Sequence, residues 1–140
     1  MRGFTLIEIM VVVVIIGLLA AVIVPSVVGQ VEKARISKAH QDINSIETAL
    51  TMFKLDNSKY PSTDQGLVAL VQQPTDPSIR HWKPGGYVKR VSKDPWGTAY
   101  QYVYPGTHGG EYDLFSLGAD GQPGGEGENA DIGNWNGEDE

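Results

Sequence analysis

Residues 4–24, FTLIEIMVVVVIIGLLAAVIV, form an apolar run interrupted by a single acid, Glu8. About 20 apolar residues at ~1.5 Å of helical rise each match a hydrocarbon core of about 30 Å, so the run is long enough to cross a bilayer. In lipid the backbone must satisfy its own hydrogen bonds, which predicts helix here despite the many β-branched side chains. A carboxylate in such a segment costs roughly 2.5–3.5 kcal/mol near the helix centre and less toward the end, where Glu8 lies. A plain anchor has no use for it, so a neutralising partner is expected. The run is too long for the core of a secretory signal peptide, and no Ala-x-Ala pattern follows it. Arg2 gives a thin positive-inside signal, whereas Lys33, Arg35 and Lys38 beyond the run argue for the opposite orientation, so charge leaves the topology open.

Without the apolar run, ~115 residues remain, enough for one small domain with a modest core. The formal charge is -6 and it is unevenly spread. Lysine and arginine stop at Lys93, while Glu111, Asp113, Asp120, Glu126, Glu128, Asp131, Glu138, Asp139 and Glu140 follow. An acidic end with no lysine or arginine argues against nucleic acid and favours a bound cation or plain solvation. The chain has no cysteine, so disulfides do not hold its loops.

Beyond the run, residues 30–55 keep a helical period. Ala39, Ile43, Ile46, Leu50 and Phe53 fall on one stripe, which needs a domain to cover it. Gly17 and Pro25 are the weak points of the helix, where a kink or local melting is expected. Asp56-Asn57-Ser58 ends it. Thr63 is positioned to cap a short helix over residues 65–71, and residues 73–86 read as loop. Three short strands are predicted at Tyr87–Val91, Ala99–Tyr104 and Tyr112–Leu117, forming a small antiparallel sheet on the helix stripe. From Gly118 onward glycine and acids dominate.

Gly3-Phe4-Thr5-Leu6-Ile7-Glu8 and its apolar tail resemble the processing signal of type IV pilins and type II secretion pseudopilins. The resemblance implies that a prepilin peptidase cuts between Gly3 and Phe4 and methylates the Phe4 amine, and that Glu8 pairs with that amine on a neighbouring subunit. A lipid-buried carboxylate is tolerable when a cation meets it. The leader here is Met1-Arg2-Gly3, shorter and less basic than usual for the family, which implies a truncated start or a minimal signal. Phe53–Asn57, Tyr60–Leu67, Gly86–Arg90, Asp94-Pro95-Trp96-Gly97, Leu117–Gly121 and Asp131–Trp135, in this order, are similar to the major pseudopilins of the type II secretion system. Asp-Pro-Trp-Gly alone is simply a good turn with an aromatic anchor.

The resemblance implies an α+β, pilin-like fold: a long N-terminal α-helix packed against a small C-terminal antiparallel β-sheet with a calcium-binding loop. Residues 1–3 are then the leader remnant, 4–28 the transmembrane and filament-core half of the helix, and 29–140 the periplasmic domain, including the amphipathic helix 29–55. The implied function is that of the major structural subunit of the secretion pseudopilus. It would sit in the inner membrane with its C-terminal domain in the periplasm and assemble into a helical filament that helps to drive folded exoproteins across the outer membrane. Implied partners are further copies of the chain, minor pseudopilins and the inner-membrane assembly platform. The alternatives are a type IV pilin for adhesion or motility and a membrane-anchored periplasmic calcium-dependent binding module.

The loop from Leu117 to Asp131 reads either as a solvated linker or as a Ca²⁺ site, since flexible loops supply calcium with carboxylates and carbonyls together. The family resemblance implies Asp120 and Asp131 as side-chain ligands, with Leu117 and Gln122 giving carbonyls; Glu126, Glu128 and Asn129 stay open. It also implies an intersubunit salt bridge between Glu47 and Arg90, beside the plain reading of both as solvated surface charges. Catalysis is not expected. His40, His81 and His108 lack metal-ligand spacing, the serines lack a nucleophile elbow, and no phosphate-binding glycine loop precedes a helix. Trp82, Trp96 and Trp135 read as core or rim anchors.

Overall fold

The computed structural model describes residues 2–137. These divide into two compact units, one up to Ala34 and one from Arg35 onward. Helix α1, Leu6–Asn57, contributes to both.

In the first unit the apolar side chains of α1 are left exposed among the described residues. Leu6, Ile7, Val13, Leu18 and Val22 are all between 61% and 77% exposed. Among the described residues α1 is the helix long and apolar enough to cross a membrane, with a mean hydropathy of 3.2 over its most apolar window. The expected local melting at Gly17 and Pro25 is absent in the single chain, where both positions are helical. A proline removes one backbone donor, and the intact turns on either side keep the helical path. Loosening during assembly is a separate event that a single chain does not sample.

In the second unit the stripe finds its cover. Ala39, Ile43, Ile46, Ala49, Leu50 and Phe53 are buried, at the helical spacing the sequence predicts. They share one core with Tyr60, Leu70, Tyr102, Tyr112 and Leu114 from the rest of the unit. Tyr60 and Tyr112 meet edge-on with centroids 4.8 Å apart, and Tyr102 lies 5.8 Å from Tyr112. Such aromatic pairs add to the area they bury. The helix ends where Ser58 takes a positive φ of 61°, with its N–H on the Lys54 carbonyl at 2.7 Å.

The sheet is antiparallel and three-stranded: β1 (Gln101–Val103), β2 (Asp113–Ser116) and β3 (Ile132–Gly133), in the order β1-β2-β3. Tyr102 pairs with Leu114, and Ser116 with Ile132. Two of the predicted strands are present in shortened form. The third, at Tyr87–Val91, is not a strand: the N–H groups of Tyr87 and Val88 both donate to the Leu70 carbonyl, at 2.8 and 3.3 Å. Its place in the sheet is taken by Ile132–Gly133, which pairs with β2.

The predicted short helix is a 3-10 turn at Leu67–Leu70, and Thr63 does not cap it. The Thr63 hydroxyl instead donates to the Tyr104 carbonyl and accepts the Tyr104 N–H, both at 2.9 Å. Ser62 and Gln65 exchange the reciprocal bonds of a capping box just upstream, at 2.9 and 3.2 Å.

Candidate functional site

Two regions hold most of the residues singled out in the sequence, and Glu47 and Arg90 lie outside both. The first is the start of α1. Gly3 and Phe4 are exposed and lie ahead of the helix. Glu8 is engaged within its own chain. The Thr5 N–H donates to Glu8 Oε2 at 2.8 Å, the Thr5 hydroxyl donates to the same oxygen at 3.1 Å, and the Glu8 N–H donates to Thr5 Oγ1 at 3.3 Å. This is a capping box, in which residue and helix end satisfy each other's free groups. The Thr-x-x-Glu spacing carried the signal, but reading Glu8 only as a misplaced charge hid it. The arrangement gives the carboxylate two donors, while leaving it without a full counter-charge.

The second region is the glycine loop between β2 and β3. The Ala119 N–H donates to the Glu128 carbonyl at 2.9 Å, which folds the segment after Leu117 back against the segment before Asp131. Gly118, at φ 73°, sits so close that a Cβ there would lie 2.7 Å from the Ala130 carbonyl; at Gly125 the corresponding contact with the Asn129 carbonyl is 2.5 Å. A side chain at either position would force the loop open. Asp120 Oδ1 accepts the Gln122 N–H at 3.0 Å, and Asp131 Oδ2 accepts the Gly124 N–H at 3.0 Å. The other oxygen of Asp131, Oδ1, is buried without a hydrogen-bond partner. A carboxylate oxygen out of water and without a donor is costly unless a cation meets it. Glu126 and Glu128 are exposed, and Leu117 is half-buried at the end of β2. Among the described residues no three His, Cys, Asp or Glu side chains converge on one point. A cation in this loop would therefore depend on the two aspartates and backbone carbonyls together.

The loop is tied down on both sides. Ser116, fully buried, donates to Asp94 Oδ2 at 2.6 Å and accepts the Gly118 N–H at 3.2 Å. Asp94 Oδ1 accepts the N–H groups of Trp96 and Thr98, at 3.1 and 2.8 Å, so the Asp-Pro-Trp-Gly turn is built around its own carboxylate. On the far side, Trp135 stacks on His108 at 3.7 Å with the rings 8° from parallel. Asp113, also buried, accepts from Thr107 Oγ1 at 2.7 Å and from the Thr107 N–H at 2.9 Å, and lies 2.8 Å from His108 Nδ1. Burial, the largest influence on its ionisation, pushes the carboxyl up, but the donors from Thr107 and His108 together outweigh it and hold it at about 2.

Glu47 and Arg90 are not paired within the chain. Glu47, half-buried on α1, accepts from Tyr112 Oη at 3.3 Å and from Asn134 Nδ2 at 3.2 Å, which links the helix to the segment after β3. Arg90 is exposed and has no ion pair among the described residues. The contacts of Ser116 and Asn134, and the Ser116 bond to Asp94, were missed in the sequence because no local pattern marks them.

Comparison with known proteins adds to this geometry. The family profile described as "Type II secretion system (T2SS), protein G" matches residues 26–135, and the "Prokaryotic N-terminal methylation motif" matches residues 1–24. The chain is 61% identical over 134 residues to type II secretion system core protein G of Vibrio cholerae, covering 96% of this chain and 91% of the relative. It is 57% identical to the protein of the same name from Pseudomonas aeruginosa, covering 95% and 94%. It is also similar to the crystal structure of the major pseudopilin from the type 2 secretion system of enterohaemorrhagic Escherichia coli, with a TM-score of 0.69 and 44% identity, covering 77% of this chain and 92% of that one.

Proposed function

The chain belongs to the type II secretion system protein G family, the major pseudopilins, and we propose that it performs their role as the repeating subunit of a helical filament that drives folded exoproteins across the outer membrane. It is a structural subunit of a pseudopilus, carries an N-terminal methylation motif and is anchored to a membrane by its apolar helix. In the finer reading, prepilin peptidase cuts between Gly3 and Phe4 and methylates Phe4. The N-terminus faces the cytoplasm, and the domain spanning residues 29–140 lies in the periplasm. Minor pseudopilins and an inner-membrane platform are the further partners, and the role is mechanical, with no catalysis assigned to the chain.

The observation that supports this reading most is the uncovered stem. An apolar surface running from Leu6 to Val31 and left open by its own chain suits lipid or the apolar stems of other subunits. The Thr5–Glu8 box supports a waiting state in the membrane, because it partly satisfies the carboxylate until a neighbour's Phe4 amine supplies the full charge. Mass spectrometry of the membrane-extracted protein tests the processing: loss of the first three residues plus one methyl group is expected, and an intact Met1 overturns it. Electron microscopy of producing cells tests the assembly, since only the filament reading yields fibres.

For the glycine loop the reading is a Ca²⁺ clip. Asp120 and Asp131 would hold the ion, with carbonyls of Leu117 and Gln122, and the buried, partnerless Asp131 Oδ1 fits that assignment. Calcium would supply the oxygens of the loop with a common counter-charge and fasten β3 to β2 where the chain has no disulfide. A chelator is then expected to lower the melting temperature, and Asp120→Ala to abolish that response; equal melting with and without chelator removes the clip. Glu47 and Arg90 are assigned to an intersubunit salt bridge, with the unpaired Arg90 in support. A charge-swapped pair that recovers the secretion lost in each single variant is expected, and additive loss counts against it.

A further inference from the structure

The unit from Arg35 onward carries a groove of about 500 Å³ between the 3-10 turn Leu67–Leu70 and the segment running through Lys93 into β1. Buried Leu67 and Tyr102 and half-buried Val71 give it an apolar floor, and Val68, 61% exposed, stands on its edge. Two cations, Arg90 and Lys93, line the groove as well. Both are exposed, and neither has an ion pair among the described residues. Lys93 is also the last lysine or arginine of the chain.

The complement to this surface is present in the same molecule. The loop 122–128, Gln-Pro-Gly-Gly-Glu-Gly-Glu, is exposed throughout and slender, with three glycines, and its Pro123 is apolar. Glu126 and Glu128 flank Gly127 in the 3-10 turn Gly127–Asn129, and neither carboxylate has an ion pair among the described residues. We propose that the groove receives the 122–128 loop of a second copy, with Pro123 over the apolar floor and Glu126 and Glu128 toward Arg90 and Lys93. Two cations meet two anions, and a loop with three glycines is slender enough to lie along the groove. The contact joins different surfaces of the two copies, so each subunit offers one donor loop and one acceptor groove, and the contact repeats along a polymer. This inference rests on the filament reading and names one of the contacts between globular units within it. Arg90 can serve both this loop and Glu47 of a neighbour, because a guanidinium carries five donors.

The natural chain has no cysteine, so an engineered pair reports contact between copies directly. Val68→Cys and Pro123→Cys combined in the full chain, oxidised in membranes of filament-forming cells, are expected to give a ladder of dimers, trimers and longer species. Each single variant is expected to stay monomeric. Lys93→Glu should cut the ladder about tenfold, and Glu128→Lys in the same chain should restore it. Fibres without a ladder, dimers from a single variant as abundant as those of the double variant, or crosslinking to a different protein each overturn the groove assignment while leaving the filament reading intact. Absence of fibres from the unaltered chain overturns the filament reading and this inference with it.

Discussion

Two stretches of α1 make opposite use of apolar side chains. From Leu6 to Val31 nearly every position is apolar and nearly every one is exposed. From Arg35 to Asn57 the apolar residues are fewer, yet six of them are buried in a core made by their own chain. The first stretch is apolar all round and therefore needs an environment supplied from outside. The second carries a stripe and needs only its own domain. Stability of the folded unit and capacity to assemble are thus separable properties of one helix, and substitutions should move one without the other.

The largest expected effect is on the stem. Glu8→Leu should abolish filaments while the melting temperature of the full chain in detergent stays unchanged. Fibres of normal number from this variant would remove the idea that the acid is kept for a neighbour's amine. On the core side, Phe53→Ala should destabilise the folded unit by ~3–5 kcal/mol, because it empties a fully buried site. Val13→Ala in the same assay should stay within about 0.5 kcal/mol. Similar losses from both would mean that the two stretches are not separable.

A third test concerns acid. The folded-state carboxyl of Asp113 is depressed to about 2, so the unfolded chain binds the proton first as pH falls. Its contribution, on the order of 2 kcal/mol, is complete above the ordinary carboxylate range near pH 4 and is lost as pH falls toward 2. Denaturant unfolding between pH 5 and 2 should therefore show a steeper loss for the natural chain than for Asp113→Asn, and parallel curves would exclude this role. The smallest effect is expected at Leu55, which is 77% exposed although it lies in the core-forming stretch. Leu55→Ser should change unfolding by no more than about 0.5 kcal/mol. A larger change would show that position along the helix, rather than burial, decides the cost.

Local pattern was legible wherever one element answers to one period. The stripe from Ala39 to Phe53, the helix end near Asn57 and the strands around Tyr102 and Leu114 follow from spacing alone. Tyr87–Val91 misled because a short run of strand-forming residues does not say where the backbone donors go, and here those of Tyr87 and Val88 go to Leu70. Thr5 was overlooked although Thr-x-x-Glu is a sequence-level cap, because the cost of a charge in lipid drew attention to Glu8 alone.

The amino-acid order by itself determined that the first stretch of the helix would be left bare and that the second would be covered, since apolar periodicity and solvent are enough to decide both. Tertiary structure alone decided that Ile132–Gly133 completes the sheet, that Glu47 reaches Asn134 across 87 residues of sequence, and that one oxygen of Asp131 is buried without a donor. Such contacts depend on the path by which the chain returns to itself, and short loops with many glycines permit too many paths for composition to select one.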